Sequence, residues 1–384
     1  MKIALYSSPV HTVPPNEKNI LAPWELVHDL ANGLVERGHT VLLFAPKGSK
    51  TKATLFHGDI DPVIREKPKY LNDLEQYRAL VAARSLALFR YMISVIRENP
   101  VDVVHAHQSM EMFLPAFADF PHSIGVAATF HDAVDGSRWP ALEKVAAYDN
   151  VHFVGISRAQ FRDTPFTPVA VVPNGIDPSL FEVVDESSSN DHPLLMVGRI
   201  VPEKGFVDGI MAAKRSHIRL MIVGQKYEEI PVAKEYFDTQ IIPHIDGKTL
   251  IWEPVVKRDH LLGHYQTARA LLFPIGWEEP FGLVMTEAMA CGTPVIAYNR
   301  GSVPEVIQDG VTGFIVDPDN VERPNKGNWI IKKQGVDGLV EAIQRIGEID
   351  RRACRELVEQ KFTVDHMING YVSVYEKISQ EGIT

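Results

Sequence analysis

Short, unbroken apolar runs recur along this chain, and between them lie longer stretches with helical spacing of apolar residues. Thr40-Val41-Leu42-Leu43-Phe44 is β-branched and aromatic without polar alternation, the pattern of a parallel strand buried on both faces. Similar runs at Ile3–Ser7, Val101–His105, Ile124–Thr129, Val151–Ile156 and Val169–Val172 predict further strands. A helix is predicted over Trp24–Arg37, stopped by Gly38, a residue suited to a helix C-terminus. The polar, serine-rich stretch 184–193 interrupts this rhythm and reads as a linker. The alternation then begins again, with strands predicted at Pro193–Val197, Leu220–Val223, Leu250–Trp252, Ala270–Pro274, Pro294–Ala297 and Gly310–Val316. A last helix is predicted at Asp365–Ser379. Strands alternating with helices predict an α/β protein with two doubly wound parallel sheets. The expected division is a first domain over 1–183, the linker, a second domain over 194–364 and a C-terminal segment over 365–384.

Composition narrows the class. At 384 residues the chain is long enough for two domains, and 45% apolar with 23% charged residues is ordinary for a globular protein. A formal net charge of -10 argues against a nucleic-acid partner. The two cysteines, Cys291 and Cys354, carry no disulfide framework and suit a reducing compartment. The N-terminus enters a strand at once, so a cytoplasmic location is expected. The most apolar stretch, Ala79–Ile96, is interrupted by Arg84 and Arg90. It reads as a packed domain helix; peripheral membrane contact is the less favoured reading.

The chemistry concentrates in Gly276-Trp277-Glu278-Glu279-Pro280-Phe281-Gly282-Leu283-Val284-Met285-Thr286-Glu287. A loop there is expected to turn into a helix near Phe281-Gly282-Leu283. The helix would aim free backbone N–H groups at a phosphate. Glu279 and Glu287 are suited to accept hydrogen bonds from sugar hydroxyls. A second loop, Gly198-Arg199-Ile200-Val201-Pro202-Glu203-Lys204-Gly205, follows a predicted strand and holds two cations. Arg199 can fork onto phosphate oxygens, and Lys204 adds a point charge. Gly205 is expected to let the next helix begin close to a ligand. A leaving nucleoside diphosphate carries about two negative charges, which two cations and a helix terminus could stabilise without a metal. His131 follows the strand Ala127-Ala128-Thr129-Phe130 and is placed for contact with a donor sugar or its phosphate. His105 and His107 share one strand face; a metal pair is conceivable, but with no third ligand evident a structural or cleft-lining role is favoured. The short acid pairs Asp59-Ile60-Asp61 and Asp317-Pro318-Asp319 resemble the metal-holding pair of other sugar transferases but are read as chance matches. Gly155-Ile156-Ser157-Arg158-Ala159 lacks the second glycine of a hydrolase nucleophile elbow.

Taken with Gly33-Leu34-Val35-Glu36-Arg37-Gly38-His39, Asp102-Val103-Val104-His105-Ala106-His107, Pro173-Asn174-Gly175-Ile176-Asp177 and Gly301-Ser302-Val303-Pro304-Glu305-Val306, these motifs give the chain a resemblance. It resembles the retaining glycosyltransferases of family 4, the "glycosyl transferases group 1" type of GT-B architecture. The resemblance implies two Rossmann-like domains facing an interdomain cleft, with the C-terminal helix crossing back to the first. It implies that Arg199 and Lys204 neutralise the donor diphosphate and that Glu287 holds the ribose. Glu279 would contact the donor sugar, helped by the backbone of Phe281, Gly282 and Leu283, while His131 would lie near the transferred sugar. Backbone around Glu253–Val255 would face the base. Glu279 and His131 are therefore the expected catalytic pair. A hexosyl unit would pass, with retention and without a metal or other cofactor, from a nucleotide sugar, UDP-linked, to an unknown hydroxyl acceptor on a sugar, lipid or small molecule. Loops Val10–Pro23 and Asp132–Trp139 are expected to select that acceptor. Relatives often carry a Tyr-Gly-Gly-x-Glu loop where this chain has Leu21-Ala22-Pro23-Trp24-Glu25, so a changed substrate or a stiffer entrance is expected. Two other readings stay open: a nucleotide-sugar epimerase of similar fold, and a non-catalytic nucleotide-sugar binding protein. A pyridoxal-dependent phosphorylase is disfavoured because such chains are generally much longer.

Overall fold

A computed structural model describes residues 1–15, 22–70, 73–108, 110–184, 192–254, 258–319 and 327–381. The chain forms two compact units, Met1–Gly175 with Val364–Thr384, and Ile176–Thr363. Most of the linker stretch, residues 185–191, lies outside the described residues, as do Leu21 and Val255.

The first unit is built on a seven-stranded sheet. Its strands are β1 (Lys2–Ser7), β2 (Thr40–Phe44), β3 (Thr54–Phe56), β4 (Val103–His107), β5 (Gly125–Thr129), β6 (Val151–Gly155) and β7 (Ala170–Val171). The order is β3-β2-β1-β4-β5-β6-β7, with every pair parallel. One face, including Tyr6, Phe44, Val104 and Ala106, packs with Leu88, Phe89 and Met92 of the helix Leu74–Glu98. Burial of each such large side chain stabilises the unit by about 1.5–3 kcal/mol. The most apolar stretch, Ala79–Ile96, lies in this helix, whose buried stripe serves this core; by length and composition alone the helix is also apolar enough to cross a membrane. His105 pairs in register with Leu5, so it points to the opposite face. There the helix Val364–Glu381 packs against β5 and β4.

The second unit has six strands: β8 (Leu194–Val197), β9 (Leu220–Val223), β10 (Leu250–Glu253), β11 (Ala270–Phe273), β12 (Val295–Tyr298) and β13 (Gly313–Val316). Their order is β10-β9-β8-β11-β12-β13, again parallel throughout.

Several elements differ from the sequence expectation, three of them with a visible local cause. β3 is an unpredicted edge strand of only three residues with no fully buried side chain, so it leaves almost no apolar signal. β4 starts at Val103 rather than Val101; ahead of it the chain bends at Asp102, whose carboxylate accepts a hydrogen bond from the Lys2 amide (2.7 Å) and whose amide donates to the Lys2 carbonyl (2.8 Å). β13 starts at Gly313 because Gly310 to Thr312 close a turn, in which the Gly310 amide donates to the Gly313 carbonyl (2.8 Å) and the Thr312 amide to the Gln308 carbonyl (2.9 Å).

Candidate active site

In the second unit the strand order reverses between β8 and β11. Loops leaving neighbouring strands at such a reversal run in opposite directions, which is where parallel sheets bind ligands. The loop after β8 carries Arg199 and Lys204, and the loop after β11 carries Trp277 and Glu279. Lys204 and Glu279 meet directly, with Nζ 2.7 Å from Oε2 and side chains only 15% and 12% exposed. Trp277 Nε1 donates to the same oxygen at 3.0 Å. The indole ring also lies 5.0 Å from the ammonium, a cation–π contact. Both donors fall on Oε2, which leaves Oε1 as the carboxylate's second acceptor atom.

Two backbone features hold these loops together. Gly205 has φ +69°, and a Cβ there would lie 1.8 Å from the Pro274 carbonyl oxygen. The sequence suggested that Gly205 makes room for a ligand; instead it makes room for the backbone leaving β11. The Gly276 amide then donates to the Glu203 carbonyl at 2.8 Å. The short turn Pro202–Lys204 is thereby pinned against the exit of β11, which brings Lys204 to Glu279.

Beyond Glu279 the chain enters the helix Leu283–Ala290 through Gly282, whose φ of +80° suits a residue without a side chain. The loop is braced from behind: Ser302 Oγ donates to the Phe281 carbonyl (2.8 Å), and the Ser302 amide to the Glu279 carbonyl (2.9 Å). Glu278 accepts from the Gly301 amide (2.7 Å) and pairs with Arg300 (3.2 Å). The Phe281 ring is buried edge-on against Phe362, so what it offers a ligand is main chain. The amides of Leu283 and Val284 open the helix and precede any intrahelical partner. Glu287 sits one turn further, where its Oε2 accepts from Tyr265 Oη at 2.8 Å. Burial and the adjacent carboxylate raise the Tyr265 phenol well above its ordinary value, so it remains a donor. Arg199 is exposed and does not contact the other three residues; its guanidinium has no partner among the described residues.

In the first unit the sheet reverses between β1 and β4. His107 ends β4, and His131 lies just past β5. His107 Nδ1 is 3.1 Å from His131 Nε2, with the rings nearly parallel. His105 is buried between Tyr375 Oη (2.6 Å from Nδ1) and Thr129 Oγ1 (2.9 Å from Nε2), which satisfies both ring nitrogens and makes it structural. Burial lowers His105 to about 3 and His131 to about 4, and drives His107 well below its ordinary value. All three imidazoles are neutral at pH 7. The His107 Nε2 atom is buried without a hydrogen-bond partner among the described residues.

Several sequence candidates are occupied elsewhere. Asp59 pairs with Lys47 (2.6 Å) and Asp61 with Arg65 (3.3 Å), while Asp317 Oδ1 accepts from Asn299 (2.9 Å) and Trp329 (3.2 Å). Ser157 Oγ accepts from the Gln160 amide. Ala22 and Pro23 open the helix Ala22–Glu36, and Trp24 Nε1 donates to the Ser8 carbonyl at 2.9 Å, which ties that entrance to the end of β1. Trp277 and Tyr265 were not singled out in the sequence; an aromatic residue beside apolar neighbours reads as core. Among the described residues, one group of three potential metal ligands occurs, Glu253 with His260 and His264.

Residues 25–180 match the family model "Glycosyltransferase Family 4", and residues 183–327 match "Glycosyl transferases group 1". An uncharacterised glycosyltransferase of Methanocaldococcus jannaschii is 25% identical over 92% of this chain and 93% of its own. Sucrose-phosphate synthase of Thermosynechococcus elongatus superposes with a TM-score of 0.70 at 18% identity, covering 98% of both chains. HepE of Anabaena, solved with UDP and glucose, superposes with a TM-score of 0.63 at 15% identity, covering 98% of this chain and 99% of its own. These likenesses extend over both units, and the neighbours share the GT-B architecture of two parallel sheets.

Proposed function

The chain belongs to the family 4 glycosyltransferases, and on that premise we propose that it moves a hexosyl unit from a UDP-sugar to a hydroxyl acceptor with retention and without a metal. The observation that carries the proposal is the contact of Lys204, Trp277 and Glu279 where the second sheet reverses, next to the opening of the helix Leu283–Ala290. Lys204, Arg199 and the first amides of that helix supply positive charge to a diphosphate. Glu279, fixed through Oε2, offers Oε1 to hydroxyls of the transferred sugar, and Glu287, braced by Tyr265, serves the ribose. As the bond from the anomeric carbon to the diphosphate breaks, the acceptor oxygen bonds to that carbon on the same face, and its proton passes to a phosphate oxygen. The positive groups stabilise the charge that the leaving diphosphate gains.

Metal independence draws support from the acid pairs: Asp59, Asp61 and Asp317 are already engaged by protein donors. The choice of UDP draws on the neighbour solved with that nucleotide. His131, neutral and held by His107, is assigned to contact with the transferred sugar. A cytoplasmic setting suits the two buried, unbridged thiols. The test is turnover: Glu279→Ala and Lys204→Ala should each lower kcat at least about 100-fold, as loss of a charged transition-state contact does. Near-normal turnover in both variants would refute the assigned roles.

A further inference from the structure

The helix Arg258–Thr267 carries His260 and His264 four residues apart, so their imidazoles leave one face of the helix. β10 ends at Glu253, and its carboxylate reaches that face. Glu253 Oε2 is 3.0 Å from His264 Nε2 and 3.9 Å from His260 Nε2. The two rings are 29° from parallel with centroids 4.8 Å apart, and one ligand atom from each of the three residues falls within 4.8 Å of the others. A hydrogen bond between Glu253 and His264 accounts for two of these side chains. It does not account for the third, which brings a second imidazole nitrogen towards the same carboxylate oxygen.

We propose that Glu253, His260 and His264 bind a zinc-class divalent cation that fastens this helix to β10. Two imidazoles and one carboxylate form a borderline donor set that suits zinc; magnesium and calcium require more ligands, nearly all oxygen. Tetrahedral zinc with bonds of about 2.0–2.1 Å sets neighbouring ligand atoms roughly 3.3 Å apart. The separations of 3.0 and 3.9 Å bracket that value. His260 is 60% exposed and free to make the small adjustment, whereas His264 and Glu253 are held at 15% and 29% exposure. Water completes the fourth position from the solvent side. Paired histidines one helical turn apart are also a recurrent zinc-binding arrangement.

The consequence runs through the next residue. Tyr265 follows His264 and donates to Glu287 from the same helix. A cation joining His264 to β10 fixes the register in which Tyr265 meets that carboxylate. Cation binding itself does not depend on the proposed transferase chemistry.

The test uses the full-length, untagged protein stripped of metal with EDTA. Zinc chloride is titrated in competition with a chromogenic chelator, and thermal unfolding is followed with and without zinc. Wild type should take up one tightly bound zinc equivalent, and zinc should raise its melting point. His260→Ala and Glu253→Gln should bind at least about 10–100-fold more weakly, since even the partners of metal ligands contribute that much. Their melting points without zinc check that both variants fold. Absence of tight zinc binding by wild type, or wild-type affinity in folded His260→Ala, would overturn the site.

Discussion

Three imidazoles at the ends of β4 and β5 show what burial does to a single side chain. His105, His107 and His131 have their pKa values lowered chiefly by desolvation, and their mutual repulsion adds to this for His105 and His107. Tyr371 and Tyr375, from the helix packed over them, are themselves held protonated by burial and bring no charge. An unfolded chain therefore takes up protons near pH 6.5 that the folded chain refuses until about pH 4 or lower. The neutral form's stability is complete above that upper value and is lost as pH falls through the window. The unfolding temperature should drop between about pH 6.5 and 5, above the range where most carboxylates titrate. His107→Gln should flatten that slope. Calorimetric scans across the range check this, and a flat wild-type profile would contradict it. At this scale the sequence singled out Lys204 and Glu279, which the structure brings together, because cations and acids near a helix start have few uses in a core, while Arg199, singled out with them, stands apart. It hid Trp277 and Tyr265, whose polar tips matter only once the loops are folded and the rings have found Glu279 and Glu287.

The elements that position the site are short, and their placement depends on contacts distant in sequence. Strands β2 and β9 were readable to the residue because both are unbroken apolar runs. The turn Pro202–Lys204 was not: it is shaped by the carbonyl of Pro274, which no local pattern announces. Gly205→Ala would force a Cβ against that carbonyl and place alanine at φ +69°. The left-handed backbone alone costs roughly 1–2 kcal/mol. The variant should unfold at a lower temperature and lose the Lys204–Glu279 contact, so kcat should fall together with stability. Wild-type stability and kcat in Gly205→Ala would show that the two loops are not pinned as described. In the first unit His131 was singled out from its position just past an apolar run, and the structure sets it 3.1 Å from His107.

Across the whole molecule, the repeated strand–helix rhythm and the polar break were enough to read two parallel-sheet halves. The sheet orders were not readable, because periodicity says that strands are buried and not which neighbours they choose. Those orders are what give the loops after β8 and β11 their meaning, since they make them the pair flanking a reversal. The acceptor was equally silent, because loops do not announce their ligands. In the proposed function these two loops hold a nucleoside diphosphate. Calorimetric titration of UDP, ADP and GDP into the full-length protein tests it most directly. UDP should bind, and Lys204→Ala should weaken the affinity at least about tenfold, as expected for losing one charge-assisted contact. No binding of any of the three, or unchanged affinity in a folded Lys204→Ala protein, would contradict it.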